Sequence, residues 1–423
     1  MSEPVEAALV RELDLLLAEA DAALARDFPG ERPGRQPVHT VYVPADRYDA
    51  DLVPRWGSEA LAALDAHGGD GALVAAAGLE DDVADDVCAR VRAKLTADPI
   101  EDLRVDFEDG YGARPDREED AAVDAAAAGL LASRARGRAA GLVGVRFKSL
   151  ESATRARGLR TLARFVSAVA VDGAVPDGFV VTLPKVTSVD QVTAMVLACV
   201  RLEETLGLAR GALTFEVQVE TPQAVGGPDG TALVARMVHA ADGRCTGLHF
   251  GTYDYSASLG IAAEHQSLEH PAADHAKAVL QVAAAGTGVR VVDGSTNRLP
   301  VGPTPQVQAA WALHARLVRR SLERGFYQGW DLHPAQLPTR YAATYAFYRR
   351  GLGRAGQRLG DYGGAVDSGV LDEPATVRAL AGFVVRALDC GATDAAEATV
   401  LTGLDRDALL RLAGRPDGQE LAS

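Results

Sequence analysis

The chain has 423 residues, 48% hydrophobic and 24% charged, the values of a globular protein with room for a large barrel and additional segments. Its 58 acids against 43 bases give a net charge of −15. That balance argues against a nucleic acid or an anionic membrane as partner, and it requires any anionic substrate to be met by local Lys or Arg or by a metal.

Taken in chain order, the first predicted element is a helix over about 5–27, where Leu9, Leu13, Leu16, Leu17, Ala20 and Leu24 mark an amphipathic face. This segment lacks the basic start and small-residue cleavage site of a signal peptide. No apolar run in the chain approaches the roughly 20 residues that span a bilayer. Four scattered cysteines (Cys88, Cys199, Cys245 and Cys390) form no CxxC and read as reduced core residues. Together these features predict a cytoplasmic protein.

After the breaker-rich linker PGERPGRQP (29–37) come eight segments with strand character. They are HTVYVPA (39–45), LRVDFEDG (103–110), LVGVRFKS (142–149) and GFVVTLPKV (178–186), then LTFEVQVET (213–221), TGLHFGTYD (246–254), VRVVDGST (289–296) and GFYQGWDLHP (325–334). Ala- and Leu-rich stretches long enough for helices separate most of them. Eight strands alternating with helices predict an α/β protein with a TIM (β/α)8 barrel. The rival is an open doubly wound sheet, but no GxGxxG loop follows the first strand. The expected organisation is an N-terminal helix and linker over 1–37, a barrel over 38–340 and a helical C-terminal extension over 341–423. The excursion 46–102 and the tail exceed a minimal barrel.

Alternation within the strands places Arg104, Asp106 and Glu108 on one face, Glu216, Gln218 and Glu220 on another, and Arg146 with Lys148 on a third. In a barrel the apolar faces meet the outer helices, so these polar faces are expected to line the lumen. The working face of such a barrel is the C-terminal end of its strands. There the sequence offers Glu108 and Asp109, Arg146 and Lys148, Lys185, Glu220, Asp254, Asp293, and Asp331 with His333. Glu220 and Asp254 are the predicted metal pair. Hard oxygen donors without a His or Cys cluster favour Mg²⁺ or Mn²⁺ over Zn²⁺. The bland alternative is that each acid caps a following helix or pairs with Lys185. His333 and His249 read as structural histidines.

At this point the residues resemble a family. VYVPA (41–45), VDFED (105–109), VRFKS (145–149), LPKV (183–186), VETPQAV (219–225), FGTYDYSASLG (250–260), HPAQL (333–337) and VDSGVLDEP (366–374) are similar, in order, to the citrate lyase β-subunit-like group. That group lies within the wider family of 4-hydroxy-2-oxo-acid aldolases and malyl-CoA lyases. The resemblance spans about 39–390. It implies a barrel of the phosphoenolpyruvate/pyruvate-binding type, with metal ligands at Glu220 and Asp254 and a substrate-binding, catalytic Arg at Arg146. It also implies Glu108 and Asp109 beside metal-bound water, and Lys185 near substrate. The catalytic acid of the family's tail falls on Asp372, which a neighbouring subunit can supply. An ordinary helix N-cap explains Asp372 equally well. The implied ligands are a 2-oxo acid and a coenzyme A thioester, the implied reaction is carbon–carbon bond cleavage or formation through an enolate, and the implied assembly is a trimer or hexamer.

The chain departs from the family in three places. A basic residue usually precedes the strand-8 His-Pro, where Trp330 and Asp331 stand here. The 46–102 segment and the tail are both longer than usual, in regions that would shape a CoA site. The readings that stay open are a class II aldolase without CoA, a glycoside hydrolase using paired acids, and a non-catalytic barrel that serves as scaffold or ligand-binding subunit. Aromatic content of 5% and the basic rim residues argue against the sugar reading.

Overall fold

The protein is described here from a computed structural model that covers residues 5–364 and 373–415. Helix α1 (Val5–Asp27) leads through the linker to strand β1 (His39–Pro44). The 46–102 excursion folds as three helices, α2 (Leu52–Ala66), α3 (Gly69–Ala77) and α4 (Asp81–Ala97). Then follow β2 (Asp102–Asp106), α5 (Asp116–Ala135), β3 (Leu142–Arg146), α6 (Arg155–Val169), β4 (Phe179–Leu183) and α7 (Val189–Leu206). Strand β5 (Thr214–Val219) precedes the short α8 (Pro222–Val225) and α9 (Leu233–Ala240). Strand β6 (Cys245–Phe250) precedes α10 (Thr252–Ser258) and α11 (Pro271–Ala284). The barrel ends with β7 (Arg290–Val292), α12 (Thr304–Glu323) and β8 (Gly329–Asp331). Helices α13 (Leu337–Gly364), α14 (Pro374–Cys390), α15 (Ala395–Thr402) and α16 (Arg406–Leu412) complete the described chain.

All eight strands are parallel, in the order β7-β6-β5-β4-β3-β2-β1-β8. The remaining seam is closed by the Asp293 amide donating to the Gln328 carbonyl at 2.9 Å and the Trp330 amide donating to the Gly294 carbonyl at 3.2 Å. The result is the predicted TIM barrel, reached because every strand is buried on both faces. Outward residues such as Val41, Val43, Leu103, Val105, Val145, Val181, Val217 and Leu248 join the surrounding helices in one core. The inward set is polar or aromatic: Tyr42, Arg104, Asp106, Arg146, Thr182, Glu216, Gln218 and His249 are all buried. Tyr42, Val292 and Trp330 form a small apolar cluster separate from the outer core.

Helix α1 forms as the sequence predicts; none of its residues is buried, and Leu9, Leu13, Leu16, Leu17 and Leu24 are exposed. Two sequence expectations need correction. Lys148 does not share a face with Arg146. Strand β3 ends at Arg146, the two-residue period lapses, and the Lys148 ammonium turns to the Phe107 carbonyl and Glu119 of α5, both at 2.7 Å. Asp293 and Asp331 point into the helical shell instead of the rim. Asp293 meets Lys277 at 3.1 Å and Ser321 at 2.6 Å. Asp331 is held by His39 at 2.8 Å, His314 at 3.1 Å and Arg340 at 3.0 Å. Burial pushes the Asp331 carboxyl up, but these partners keep it well below the usual carboxylate range.

The four cysteines are free and buried. No helix among the described residues is long and apolar enough to cross a membrane.

Candidate active site

The lumen is built from stacked ion pairs. Halfway up, Arg104 grips Glu216 with Nη2 at 2.7 Å and Nε at 3.0 Å, and it also contacts Asp102. His249 approaches Glu216 at 3.0 Å, and Trp330 and the Tyr42 hydroxyl reach His249 at 3.1 and 3.3 Å. Burial alone would protonate Glu216, but Arg104 and His249 hold its carboxyl far below the usual range. A buried pair of this kind persists only because each charge is paired and hydrogen-bonded.

One layer higher, Arg146 makes a bidentate pair with Asp106 at 2.7 and 2.6 Å and donates to Gln218 at 3.2 Å. Its guanidinium lies 4.7 Å from the centre of the Tyr42 ring, a cation–π distance. Asp106 also accepts the amides of Glu108 and Gly110, both at 2.9 Å. This explains the acid-rich end of β2: Asp106 is the anchor of the turn that raises Glu108 and Asp109 to the rim. Gly110 must be glycine, because a Cβ there would stand 2.5 Å from the Asp106 carboxylate.

At the C-terminal rim the Lys185 ammonium occupies the centre of an acid ring. Asp109 lies 2.9 Å away, Glu108 3.2 Å, Asp254 3.3 Å and Glu220 4.0 Å. Lys185 has φ +53°, the left-handed region, at a cost of about 1 kcal/mol for a side chain with a Cβ. That conformation lets its amide donate to Glu220 at 2.8 Å while its ammonium enters the ring. Backbone strain of this kind tends to collect at functional sites. Gln218 donates to the other Glu220 oxygen. A Cβ on Gly251 would lie 2.7 Å from that oxygen, so this glycine leaves room for the carboxylate.

The charges respond to this crowding. Glu220 is buried, and burial with Asp254 and Glu108 beside it pushes its carboxyl up to about 8 against the pull of Lys185. Glu108 is pushed up to about 7, by burial first and by Asp109, with Arg146 and Lys185 opposing. Burial also works against ionisation of Asp109, but the contact with Lys185 lowers it. Burial pulls Lys185 down, while Glu220 and Glu108 more than compensate and hold it charged. Burial of the Glu220 carboxyl outweighs the pull of Lys185 on it.

Of the residues singled out from sequence, the structure brings Glu108, Asp109, Arg146, Lys185, Glu220 and Asp254 to one end of the barrel. Asp254 is not at a strand end: β6 stops at Phe250, and Asp254 lies in the first turn of α10, where a negative charge suits the helix dipole. Glu220 makes no cap to α8. Asp372 lies outside the described residues. Sequence reasoning missed Tyr42 and Trp330. Tyr42 alternates with Val41 and Val43 in VYVPA, a signal that it faces the lumen.

Among the described residues no cluster of three or more His, Cys, Asp or Glu able to hold a metal is present. Glu220 and Asp254, the two carboxylates assigned to a cation from sequence, both face the Lys185 position and could serve a cation whose other ligands are water and substrate. Magnesium commonly accepts such an arrangement. An all-oxygen donor set already gathered around one positive charge, with a buried carboxyl pushed up to about 8, fits a hard divalent cation.

Fold and rim together define a (β/α)8 barrel with a carboxylate ring at its C-terminal mouth. A family model described as a domain of unknown function (DUF6986) matches residues 17–415, and the chain belongs to that family. No curated protein matches. Among solved structures the chain is similar to Haloferax volcanii malate synthase, native at 3 mM glyoxylate, with 16% identity, 92% of this chain and 95% of that one covered, and a TM-score of 0.48. It is also similar to the Mycobacterium tuberculosis protein CitE in complex with magnesium, acetoacetate and coenzyme A, with 18% identity, coverage of 85% and 99%, and a TM-score of 0.47. A third is an HpcH/HpaI aldolase/citrate lyase family protein from Burkholderia cenocepacia J2315, with 18% identity, coverage of 78% and 99%, and a TM-score of 0.40. At such identities these likenesses carry nothing about chemistry.

Proposed function

We propose that this protein is a Mg²⁺-dependent carbon–carbon lyase of the aldol or retro-Claisen kind. It acts on a 2-oxo acid and an enolate donor, the latter a citryl-, malyl- or citramalyl-CoA-type thioester. The observation that carries the reading is the convergence of Glu108, Asp109, Glu220 and Asp254 on a single cation position directly above the buried Arg146.

When bound by Glu220 and Asp254, the metal would supply Lewis-acid polarisation of the 2-oxo acid carbonyl. Mn²⁺ suits the same donors. Arg146 is fixed in orientation by Asp106 and Gln218, so its remaining N–H groups neutralise a substrate carboxylate or the enolate oxygen. Lys185 offers a second positive charge to the substrate and keeps the acids from repelling one another when no divalent ion is present. Glu108, with its carboxyl near 7, is suited to taking up and returning a proton at neutral pH. Asp372 is the second proposed base, delivered from the same or a neighbouring subunit of a homo-oligomer.

The test is proton–deuterium exchange by NMR in D₂O with Mg²⁺. Acetyl-CoA and pyruvate are examined separately, with glyoxylate or oxaloacetate as co-substrate, against EDTA and Glu220→Gln controls. Metal-dependent exchange at the acetyl methyl supports the thioester lyase. Exchange at the pyruvate methyl alone makes the protein a 2-oxo-acid aldolase without CoA. No exchange with any combination overturns the lyase reading and leaves a ligand-binding barrel.

A further inference from the structure

The opposite end of the barrel is also built to receive something. The linker 28–37 crosses the N-terminal mouth and is fastened there. Gly30 donates to the Gly286 carbonyl at 2.8 Å, Arg32 donates to the carbonyls of Gly243 and Cys245 at 2.6 and 2.9 Å, and Gln36 donates to Gln328 at 3.3 Å. Under it lies a cavity of about 510 Å³, a volume typical of small-molecule sites. A second cavity of about 270 Å³ adjoins it, sharing Arg32 and Arg290 and adding Arg386 and Arg415.

The larger cavity is lined by four arginines and four acids, the smaller by four arginines and Glu31. The acids of the larger one are already engaged: Glu101 by Lys94 at 2.8 Å and Arg35 at 3.1 Å, Asp98 by the same two bases, and Asp102 and Glu216 by Arg104. Arg32 and Arg290 have no carboxylate of the described residues within 4 Å. Arg290 donates only to the Gly34 carbonyl, at 3.2 Å. In the smaller cavity Arg386 and Arg415 share Glu31 at 3.0 and 3.5 Å, the latter through the Arg415 Nε, and among the described residues the Nε of Arg386 is buried without a hydrogen-bond partner. Arg415 also meets Asp389 at 3.5 Å. Burial, and then repulsion from Arg415 and Arg32, push the Arg290 guanidinium down to about 10 against the pull of Asp102 and Glu31. Guanidinium groups crowded together, partly desolvated and short of acids, match the geometry of phosphate or carboxylate recognition.

We propose that the N-terminal mouth of the barrel is a second binding site, for a compact dianion bearing phosphoryl or paired carboxylate groups, held by Arg32 and Arg290 with Arg386 and Arg415 behind them. It is separate from the rim: the strands between the two are on the order of 15 Å long, at about 3.3 Å per residue. The ceiling of the larger cavity is the Arg104–Glu216–His249 layer, which touches Tyr42 and through it Arg146. The site does not depend on the proposed lyase reaction.

The test uses the full chain in EDTA at low ionic strength, by calorimetry and thermal melting. The probes are inorganic phosphate, pyrophosphate and succinate, with sodium chloride at matched ionic strength as the control for screening. At least one dianion should bind saturably and raise the melting temperature. Arg290→Gln and Arg32→Gln should each weaken that binding at least tenfold. Tighter binding of the phosphates assigns a phosphoryl ligand, and tighter binding of succinate a dicarboxylate. Without any anion, Arg290→Gln should melt no lower than the wild type, because it removes a cation that has no carboxylate of the described residues within 4 Å; this separates a ligand-binding arginine from a structural one. The proposal is overturned if no dianion acts beyond chloride, or if both variants bind as tightly as the wild type.

Discussion

Glu220→Gln offers a sharp test of the electrostatics at the rim. Glu220 is 1% exposed, and its carboxyl is pushed from 4.5 up to about 8, by burial first and then by Asp254 and Glu108. A carboxyl with a raised value binds its proton more tightly in the native chain than in the unfolded one. The stability it contributes is therefore fully present below about 4.5 and is lost as pH rises through about 8. Each tenfold in proton affinity is about 1.4 kcal/mol, so the span from 4.5 to about 8 caps the loss at ~5 kcal/mol. That span already includes the pull of Lys185, 4.0 Å away; relaxation and water penetration at the rim bring the expectation to on the order of 2 kcal/mol. Glutamine has no proton to lose and keeps an oxygen for the Lys185 amide. In metal-free protein the variant should gain on the wild type by on the order of 2 kcal/mol between pH 5.5 and 8.5, read from urea unfolding in EDTA. Added Mg²⁺ should narrow the gap at the higher pH. A difference that stays flat with pH, or shrinks as pH rises, would refute the reasoning.

Other expectations follow from the same geometry. Gly251→Ala puts a Cβ 2.5 Å from the Glu220 Cβ and 2.7 Å from its carboxylate. It should lower stability by about 1–3 kcal/mol and weaken divalent-cation binding, checked by melting and by metal titration. Arg104→Met leaves Glu216 and Asp102 without their guanidinium in the lumen and should cost about 3–5 kcal/mol in urea unfolding, with no direct change to the rim. Lys185→Met removes the resident ammonium, so the metal-free protein should be less stable while its affinity for Mg²⁺ rises; both are measured on one preparation by melting with and without the ion.

Much of this architecture is readable in the sequence because barrel strands obey a two-residue period with opposite chemistry on the two faces. Leu103 and Val105 go outward while Arg104 and Asp106 go inward, and the same rule places Glu216 and Gln218 opposite them. Glu108, Asp109, Lys185 and Glu220 were legible for the same reason, since they follow closely on strand ends, whereas Asp254 lies in the first turn of α10. The period fails once the strand stops. Lys148 continues the pattern on paper, but the chain has already turned toward α5. Asp331 carries the right residue type at the right strand end, yet it faces outward, and only the packing of His39, His314 and Arg340 around it reveals that. The N-terminal cavity was invisible because its arginines come from a linker, from the start of β7 and from the C-terminal helices, segments that only tertiary folding brings together. Helix α1 carries an apolar stripe, and pattern alone does not say whether the stripe finds a partner within the chain.

The central claim is that the carboxylate ring at the C-terminal rim is a divalent-cation centre. Titration with Mn²⁺ followed by electron paramagnetic resonance, on wild type, Glu220→Gln and Asp254→Asn, addresses it most directly. The account predicts saturable Mn²⁺ binding by the wild type, displaced by Mg²⁺ and lost or weakened at least tenfold in both variants. Binding that is absent from the wild type, or unchanged in the two variants, would contradict it.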